Sequence, residues 1–351
     1  MIIRLKFVAR TALLLLLAAL PAPGVAGAEP SPGFINATRV NMRSEPSTSS
    51  KVIMRFDGGE LVEVLEQAKG GSNEAHPWHR VSAAGGEQGW VYGEFLSTDA
   101  LPPRFALADS DGERLILACG EGNSFAARVS RRYSACLSGR VYPVAFEEKR
   151  DRSPDWNYRE LPDRFDEMGG LVFSVEGEPL PLDDSLHVGT DVLLVEAAYM
   201  KGVDVIPLSG KKGGKVPAGV KKEFEGRYKR PLKSIARIAS AKGRGEAIYA
   251  MEFKPADGSA LGVVALVAPR GTLCLDFPAQ WDRQSTWHVD DGGDFNPEYY
   301  TVNTLLRRGD EYIFTLGNPA PESYTSRLVL TREGKLVAPV GYTSTRYVAP
   351  D

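Results

Sequence analysis

Cysteine and histidine are scarce in this chain of 351 residues, which holds three of the former and four of the latter. Sites for zinc or copper need three or four such side chains that converge. His76 and His79 stand three apart in HPWH, but they straddle a loop and a strand start, and no nearby cysteine completes a set. His187 and His288 stand alone. No metal and no cofactor is expected, because glycine-rich phosphate loops and dinucleotide fingerprints are missing too. There is no G-x-S-x-G, and Ser209 to Lys212, formally S-x-x-K, sits in a Gly/Lys stretch rather than opening a helix after a strand. Acidic residues cluster in VDDGGDFNPE, where Asp290, Asp291, Asp294, Asn296 and Glu298 come together, but the spacing is not that of a calcium loop. A polar hairpin is the expected reading there and at Asp109-Ser110-Asp111-Gly112. Positive charge is not in excess, since the formal net charge is −3. Binding to DNA or RNA rests on neutralising phosphates, so a general nucleic-acid partner is not expected.

Long apolar runs are also lacking, save at the start. Arg4, Lys6 and Arg10 precede the apolar residues 11 to 20, and Ala26-Gly27-Ala28 supplies small residues in the A-x-A arrangement. That pattern predicts a signal peptide over residues 1–28 and hence an exported protein, periplasmic or extracellular. The run is too short to span a bilayer comfortably, and no other stretch of about 18 apolar residues follows. No transmembrane helix is therefore expected after cleavage, and no cysteine follows the run to accept a lipid. Loss of the three basic residues takes the net charge from −3 to −6. In an oxidising compartment Cys119 and Cys136, in LILAC and YSACL, are the best candidates for a disulfide. Closing that loop is worth roughly 3 kcal/mol in the chain-entropy model; two buried free thiols are the alternative. Cys274 in TLCLDF is expected to be a buried, inert thiol.

What the chain does have is strand pattern. Val40 and Met42 alternate with Asn41 and Arg43, Ser44-Glu45-Pro46-Ser47 makes a turn, and Val52–Phe56 follows as a second apolar run. Asp57-Gly58-Gly59-Glu60 is a hairpin connection to a strand opening at Leu61. Beyond a polar loop, Trp78–Ser82 and Gln88–Tyr92 flank a turn at Gly85-Gly86, and Phe95 and Leu96 close the set. Five short strands in about sixty residues suit a small closed β-barrel, which removes exposed edges.

With VNMRSEPSTSSKVI, WHRV and GWVYGEFLS on view, residues 37–97 resemble the bacterial SH3 (SH3b) family. Met42 stands where the family more often has valine, and the loop over residues 69–77 is longer than usual. The resemblance implies an SH3-like barrel over 37–99 and a binding module for cell-wall peptides or glycans, not catalysis. Trp78, Trp90, Tyr92 and Phe95 are candidates for a groove wall, with Asn41 and Arg43 as polar anchors, although at least two of the four aromatics are expected in the core. Such modules often accompany cell-wall peptidases. Neither the Asp-Cys-Ser-Gly nor the Ser-His-Gly-Cys context of thiol-dependent wall enzymes occurs, and a disulfide would consume Cys136.

After the Leu101-Pro102-Pro103 connector, residues 105–210 read as strands and turns, with at most a helical turn before Met168 because of Pro162. Residues 211–233 hold nine Lys or Arg. A helix is predicted from near Pro217, with Val220, Phe224 and Tyr228 on one face and Pro231 as its stop. From there to residue 351 an antiparallel meander is expected, with strands over 234–240, 246–253, 261–267, 272–277, 287–289, 298–306, 311–316, 327–331 and 335–340. The fold class is thus mainly β, an SH3-like barrel followed by an α+β region; whether 105–210 and 211–351 are one domain or two stays open. The leading functional reading is an exported cell-envelope protein without enzymatic activity that binds a cell-wall peptide or glycan or an envelope protein. The alternatives are a cell-wall hydrolase or amidase, and a sensor or assembly subunit of an envelope complex.

Overall fold

The structure, a computed structural model, describes residues 31–35, 39–56, 60–70, 74–98, 103–118, 133–182, 188–197, 199–209, 214–281, 295–332, 334–339 and 342–349. The expected leader, the Asp57-Gly58-Gly59 turn, Cys119, His187, His288 and residues 289–294 lie outside the described residues.

The first sheet is built from β1 (Ser31–Ile35), β2 (Val40–Arg43), β3 (Val52–Phe56), β4 (Leu61–Ala68), β5 (Trp78–Ser82), β6 (Gln88–Tyr92) and β7 (Leu96–Ser97). Its path is β3-β2-β6-β5-β4-β1-β7, and its pairings are antiparallel. Each expected strand is present. Ile35, Met42, Phe56, Val62, Val81, Val91 and Leu96 are buried together. They come from all seven strands, so the sheet curls around its own core. The strand missing from the sequence reading is β1, whose SPGFI opens with turn residues. Gly33 is needed there for close approach, because a Cβ would meet Val64 Cγ2 at 2.9 Å.

The next six strands, β8 (Arg104–Ala108), β9 (Arg114–Ala118), β10 (Tyr133–Leu137), β11 (Arg140–Arg150), β12 (Gly170–Val175) and β13 (Asp191–Glu196), form a closed barrel in the order β10-β11-β12-β9-β8-β13. Alternation assigns their faces. Ala106, Leu115, Ala135, Phe173, Val192 and Leu194 fill the barrel, with Leu61 of β4 packed against that core. Phe105, Cys136, Leu193 and Val195 point outward. Both faces of β13 are covered, so its sequence DVLLVE is almost continuously apolar rather than alternating. The β10–β11 hairpin turns on Ser138 and Gly139, both at positive φ. A side chain at 139 would run into Pro207, whose Cα would lie 2.2 Å from the added Cβ. The helical turn allowed before Met168 is a 3-10 segment, Pro162–Glu167.

After β14 (Val203–Val205) comes the one α-helix among the described residues, α1 (Ala218–Tyr228). Pro217 precedes it, and Lys229 ends it in the left-handed conformation. A four-stranded meander follows, β15 (Leu232–Ser240), β16 (Ala247–Ala256), β17 (Ser259–Ala268) and β18 (Gly271–Gln280). The last sheet runs β14-β19-β20-β21-β22, from β19 (Leu305–Arg308), β20 (Glu311–Pro319), β21 (Ser323–Arg332) and β22 (Lys335–Val337), with β23 (Thr343–Tyr347) also paired to β21. β14 comes from the segment before residue 210 but pairs with β19, so the boundary read at 210 cuts across a sheet.

Three apolar seams stack these parts. Phe224, Val220 and Tyr228 of α1 lie against Tyr249, Met251, Phe253, Val263 and Ala265 of the meander. The meander's other face, with Ile248, Ala250, Val264 and Leu266, packs on Leu305, Phe314, Leu316 and Val329 of the last sheet. That sheet's far face, Leu306, Ile313 and Leu328, covers Phe105, Cys136, Leu193 and Val195 on the barrel wall. The order is barrel, sheet, sheet, helix. Among the described residues, no helix is long and apolar enough to cross a membrane.

Cys136 is a buried free thiol in the barrel–sheet seam, and the disulfide expected with Cys119 is not formed. Burial pushes its thiol up to about 12, so it stays protonated and packs as a small apolar group. Cys274 is a half-buried free thiol rather than a buried one, because β18 is an edge strand that presents it to α1, where Arg227 Nη1 donates to its sulfur at 3.0 Å. Residues expected as a strand over 298–306 instead begin with a 3-10 turn, Pro297–Tyr299, capped by Asn296 Oδ1, which accepts from Glu298 N at 3.1 Å.

Candidate functional site

The register of the first sheet sets two rows of side chains across its outer face. Arg43 pairs with Trp90, Trp90 with Arg80, and Arg80 with Glu66, so one row crosses β2, β6, β5 and β4. Beside it Tyr92 pairs with Trp78, and Trp78 with Ala68. The opposite face is the apolar core, so a shift of one residue in any of these strands would send the whole set inward.

Each charged member of the first row is held. Arg43 Nη1 donates to the Ser50 carbonyl at 2.6 Å, tying the β2–β3 loop to the row. Arg80 donates to Glu66 Oε1 at 2.9 Å and to Gln88 Oε1 at 2.8 Å, which spreads its guanidinium across the sheet surface. Asn41, two residues before Arg43 on the same face, accepts from Arg55 Nε at 3.1 Å. Trp90 is half-buried between the two arginine positions.

The second row is covered. Trp78 is only 2% exposed, so it is a core residue of this face and not a groove wall. Its cover comes from the loop residues just before β5, over 74–77. From that loop Glu74 Oε2 accepts the Trp78 indole N–H at 2.8 Å, His76 stands edge-on to Tyr92 with centroids 5.8 Å apart, and the His76 backbone N–H donates to Tyr92 Oη at 3.1 Å. Tyr92 also packs on Trp78 at 5.4 Å and on Phe95 at 6.1 Å. Tyr92 and Phe95 remain half-buried. His79 alternates with Trp78 and Arg80, which puts it on the other face of β5 from His76's contact with Tyr92, so the two histidines do not converge. Burial lowers its pKa, and its Nδ1 has no hydrogen-bond partner.

Of the residues picked from sequence, the structure therefore keeps Asn41, Arg43, Trp90 and Tyr92 on one surface and withdraws Trp78 from it. It adds Arg80, Glu66 and Gln88. Arg80 was legible: it lies two residues after Trp78 on a strand, hence on the same face. The role of Glu74 was not, because a loop residue's contact has no periodicity to announce it.

Two other polar clusters among the described residues are satisfied internally. Asp109 Oδ1 accepts from the backbone N–H groups of Glu113 and Arg114 at 3.0 and 3.1 Å, and Arg114 Nε reaches Oδ2 at 3.0 Å, so the Asp-Ser-Asp-Gly segment is a satisfied hairpin turn. Ser209 Oγ is hydrogen-bonded to Ser240 Oγ at 2.6 Å.

Comparison with known proteins adds one finding. Residues 38–97 match the family model of the bacterial SH3 domain, a segment that takes in β2 to β7 and leaves the barrel and both later sheets unmatched. No curated protein matches the chain.

Proposed function

We propose that this is an exported cell-envelope protein, periplasmic or extracellular, in which the bacterial SH3 segment is a binding module and no reaction is catalysed. The observation that carries the reading is the Arg43–Trp90–Arg80 row on the outer face of that segment. Two guanidiniums fixed beside a half-buried indole suit a ligand that combines carboxylate with a flat apolar or sugar face: arginine grips carboxylate with paired N–H donors, and indole stacks on ring faces. Cell-wall peptides and glycans offer both, and Tyr92 and Asn41 extend the surface at either side. The resemblance to a family of wall-binding modules supports the same ligand class. The leader pattern over residues 1–28 supports export. Residues 105–351 are read as one folding unit, supported by the apolar seams that join barrel to sheet and sheet to sheet.

The test is a pelleting assay on purified peptidoglycan sacculi, with muropeptides assayed in the supernatant. Protein in the pellet without muropeptide release is the expected result. Arg43→Ala or Trp90→Ala is expected to weaken binding at least tenfold, as a central aromatic or arginine anchor does, with the circular dichroism spectrum unchanged. Muropeptide release would overturn the non-enzymatic reading. Failure to pellet would shift the ligand to an envelope protein and be followed by cross-linking through the same face.

A further inference from the structure

The basic stretch after residue 210 has no part in the function proposed above. Residues 214–233 hold seven Lys or Arg against Glu223 and Glu225, a net of +5 in a chain whose formal net charge is −3. The fold carries this segment to one end of the stack, where α1 is the outermost layer. The inner side of the helix is taken by Val220, Phe224 and Tyr228 on the meander. Lys222 and Lys229, about two turns apart, fall on the side opposite Phe224. Lys221 flanks them, and Lys215 stands just before the helix. Lys254 is brought to the far end by the hydrogen bond from its backbone N–H to the Pro231 carbonyl at 2.9 Å. All five lysines are exposed, and among the described residues none has an ion-pair partner. The two carboxylates of the segment are engaged locally: Glu223 Oε1 accepts from Thr272 Oγ1 at 3.0 Å, and Glu225 Oε1 from the Leu232 N–H at 3.1 Å. Arg227 and Arg230 donate to the carbonyls of Thr272 and Ala256, so their charge is not cancelled by an acid either. Between the lysines the helix is bare. Gly219 and Gly226 lie on the same outward side, and a Cβ added at either would meet nothing within 4 Å. Glycine weakens a helix interior and no internal contact calls for it here; it leaves a low face with lysines standing above it.

We propose that the outward face of α1 docks on a bilayer bearing anionic phospholipids, with the helix lying flat and its lysines among the phosphates. Charge complementarity carries the assignment. An exposed lysine is a compact, mobile point charge that attracts phosphate without the paired geometry arginine reads, and each one close to an anionic bilayer strengthens attachment about fivefold. A plane fits these cations better than a single ligand does. They are spread along a convex helix and past both of its ends, instead of converging on one point as a site for one phosphate requires. The helix presents no exposed large apolar side chain, so the attachment is electrostatic and reversible rather than insertion. This face shares no residue with the Arg43–Trp90–Arg80 row and stands or falls independently of the function proposed there.

Co-sedimentation with vesicles of phosphatidylcholine alone, and of phosphatidylcholine mixed with phosphatidylglycerol, tests the proposal. The chain lacking residues 1–28 is used, which keeps every described residue and removes the apolar run near the start as a second route to the bilayer. The expected result is retention on the mixed vesicles only, lost in about 1 M NaCl, where the screening length falls to about 3 Å. Lys222→Gln and Lys229→Gln are each expected to weaken partitioning about fivefold, and the triple variant with Lys221→Gln about a hundredfold, with the circular dichroism spectrum unchanged. Lys149→Gln, on the barrel at the other end of the stack, is expected to have no effect. Absence of retention, equal retention on neutral vesicles, binding that survives the salt, or a triple variant that binds like its parent would each overturn the proposal. So would capture by soluble polyphosphate as tight as by vesicles of the same phosphate content, which would make the partner a polymer.

Discussion

Trp78 and Trp90 face the same side of the first sheet, twelve positions apart in sequence, and do opposite work. Trp78 is sealed under its loop with its indole N–H on Glu74, whereas Trp90 is half-buried beside two arginine positions. Trp78→Ala is expected to cost about 3–5 kcal/mol of stability, as large-to-small changes at buried aromatics do, while Trp90→Ala costs far less and acts on binding; urea titration of both variants separates the two roles. His79 gives the same sheet a pH dependence. Burial holds its imidazole neutral below the ordinary value of 6.5, so the unfolded chain takes up a proton before the folded one does. Stability contributed by the neutral ring is present above pH 6.5 and is lost as pH falls through the lowered folded-state value. Chemical denaturation from pH 7.5 down to pH 5 is expected to show that loss, and His79→Gln to flatten it. The sign is reversed at Glu160, whose raised pKa favours its protonated form, so its stabilising contribution fades as pH rises through the shifted value. At neutral pH Cys136 is expected to resist iodoacetamide until the protein unfolds, because its thiolate is disfavoured and its sulfur lies in a seam, while Cys274 is expected to react earlier.

Among the elements, α1 follows most directly from its sequence. Val220, Phe224 and Tyr228 recur every four residues, Pro217 opens the segment and Pro231 bars its continuation, and the helix runs Ala218–Tyr228 with those three side chains on the meander. Its stop uses a lysine where glycine is usual: Lys229 holds φ at 51°. Lys229→Gly is expected to stabilise the protein by up to about 1 kcal/mol by removing the left-handed penalty, measured as a higher denaturation midpoint with an unchanged slope. The meander was equally legible, because its turns carry Gly next to Asp or Arg, and Asp257 and Gly258 both take the positive φ that their hairpin demands. Legibility failed where periodicity was weak or misleading. Strand β23 reads TSTRY, polar throughout, and becomes a strand only because β21 offers it an edge and Asp191 a partner for Arg346. The residues over 298–306 alternate well enough for a strand, but Asn296-Pro297 starts a turn first. At the candidate binding face, Arg43 and Trp90 were readable from alternation, while the burial of Trp78 depends on a loop whose path no local pattern specifies.

At the scale of the whole molecule, the last sheet is a shared wall: one face closes the meander, the other covers the barrel. Across residue 210, where one domain or two was left open, β14 pairs with β19 and Thr304 Oγ1 donates to the Cys136 carbonyl in the barrel at 2.9 Å. The expectation is that residues 105–351 lose structure in a single cooperative step, while the first sheet, joined to them by a proline-rich connector and the contact of Leu61, melts on its own; hydrogen exchange followed by mass spectrometry would resolve two protection classes.

That shared wall also sets a timetable. Five of its six strands, β19 to β23, begin only at Leu305, so the barrel wall and the meander are both synthesised before anything can cover them. Throughout that interval two apolar surfaces stay bare, and their eventual partner is far away along the chain, the arrangement that slows folding and invites aggregation. A chain cut short before Leu305 would therefore be expected to precipitate instead of surviving as a smaller domain, and a holding chaperone that shields those two surfaces during synthesis would raise the yield of the complete protein more than any single stabilising substitution.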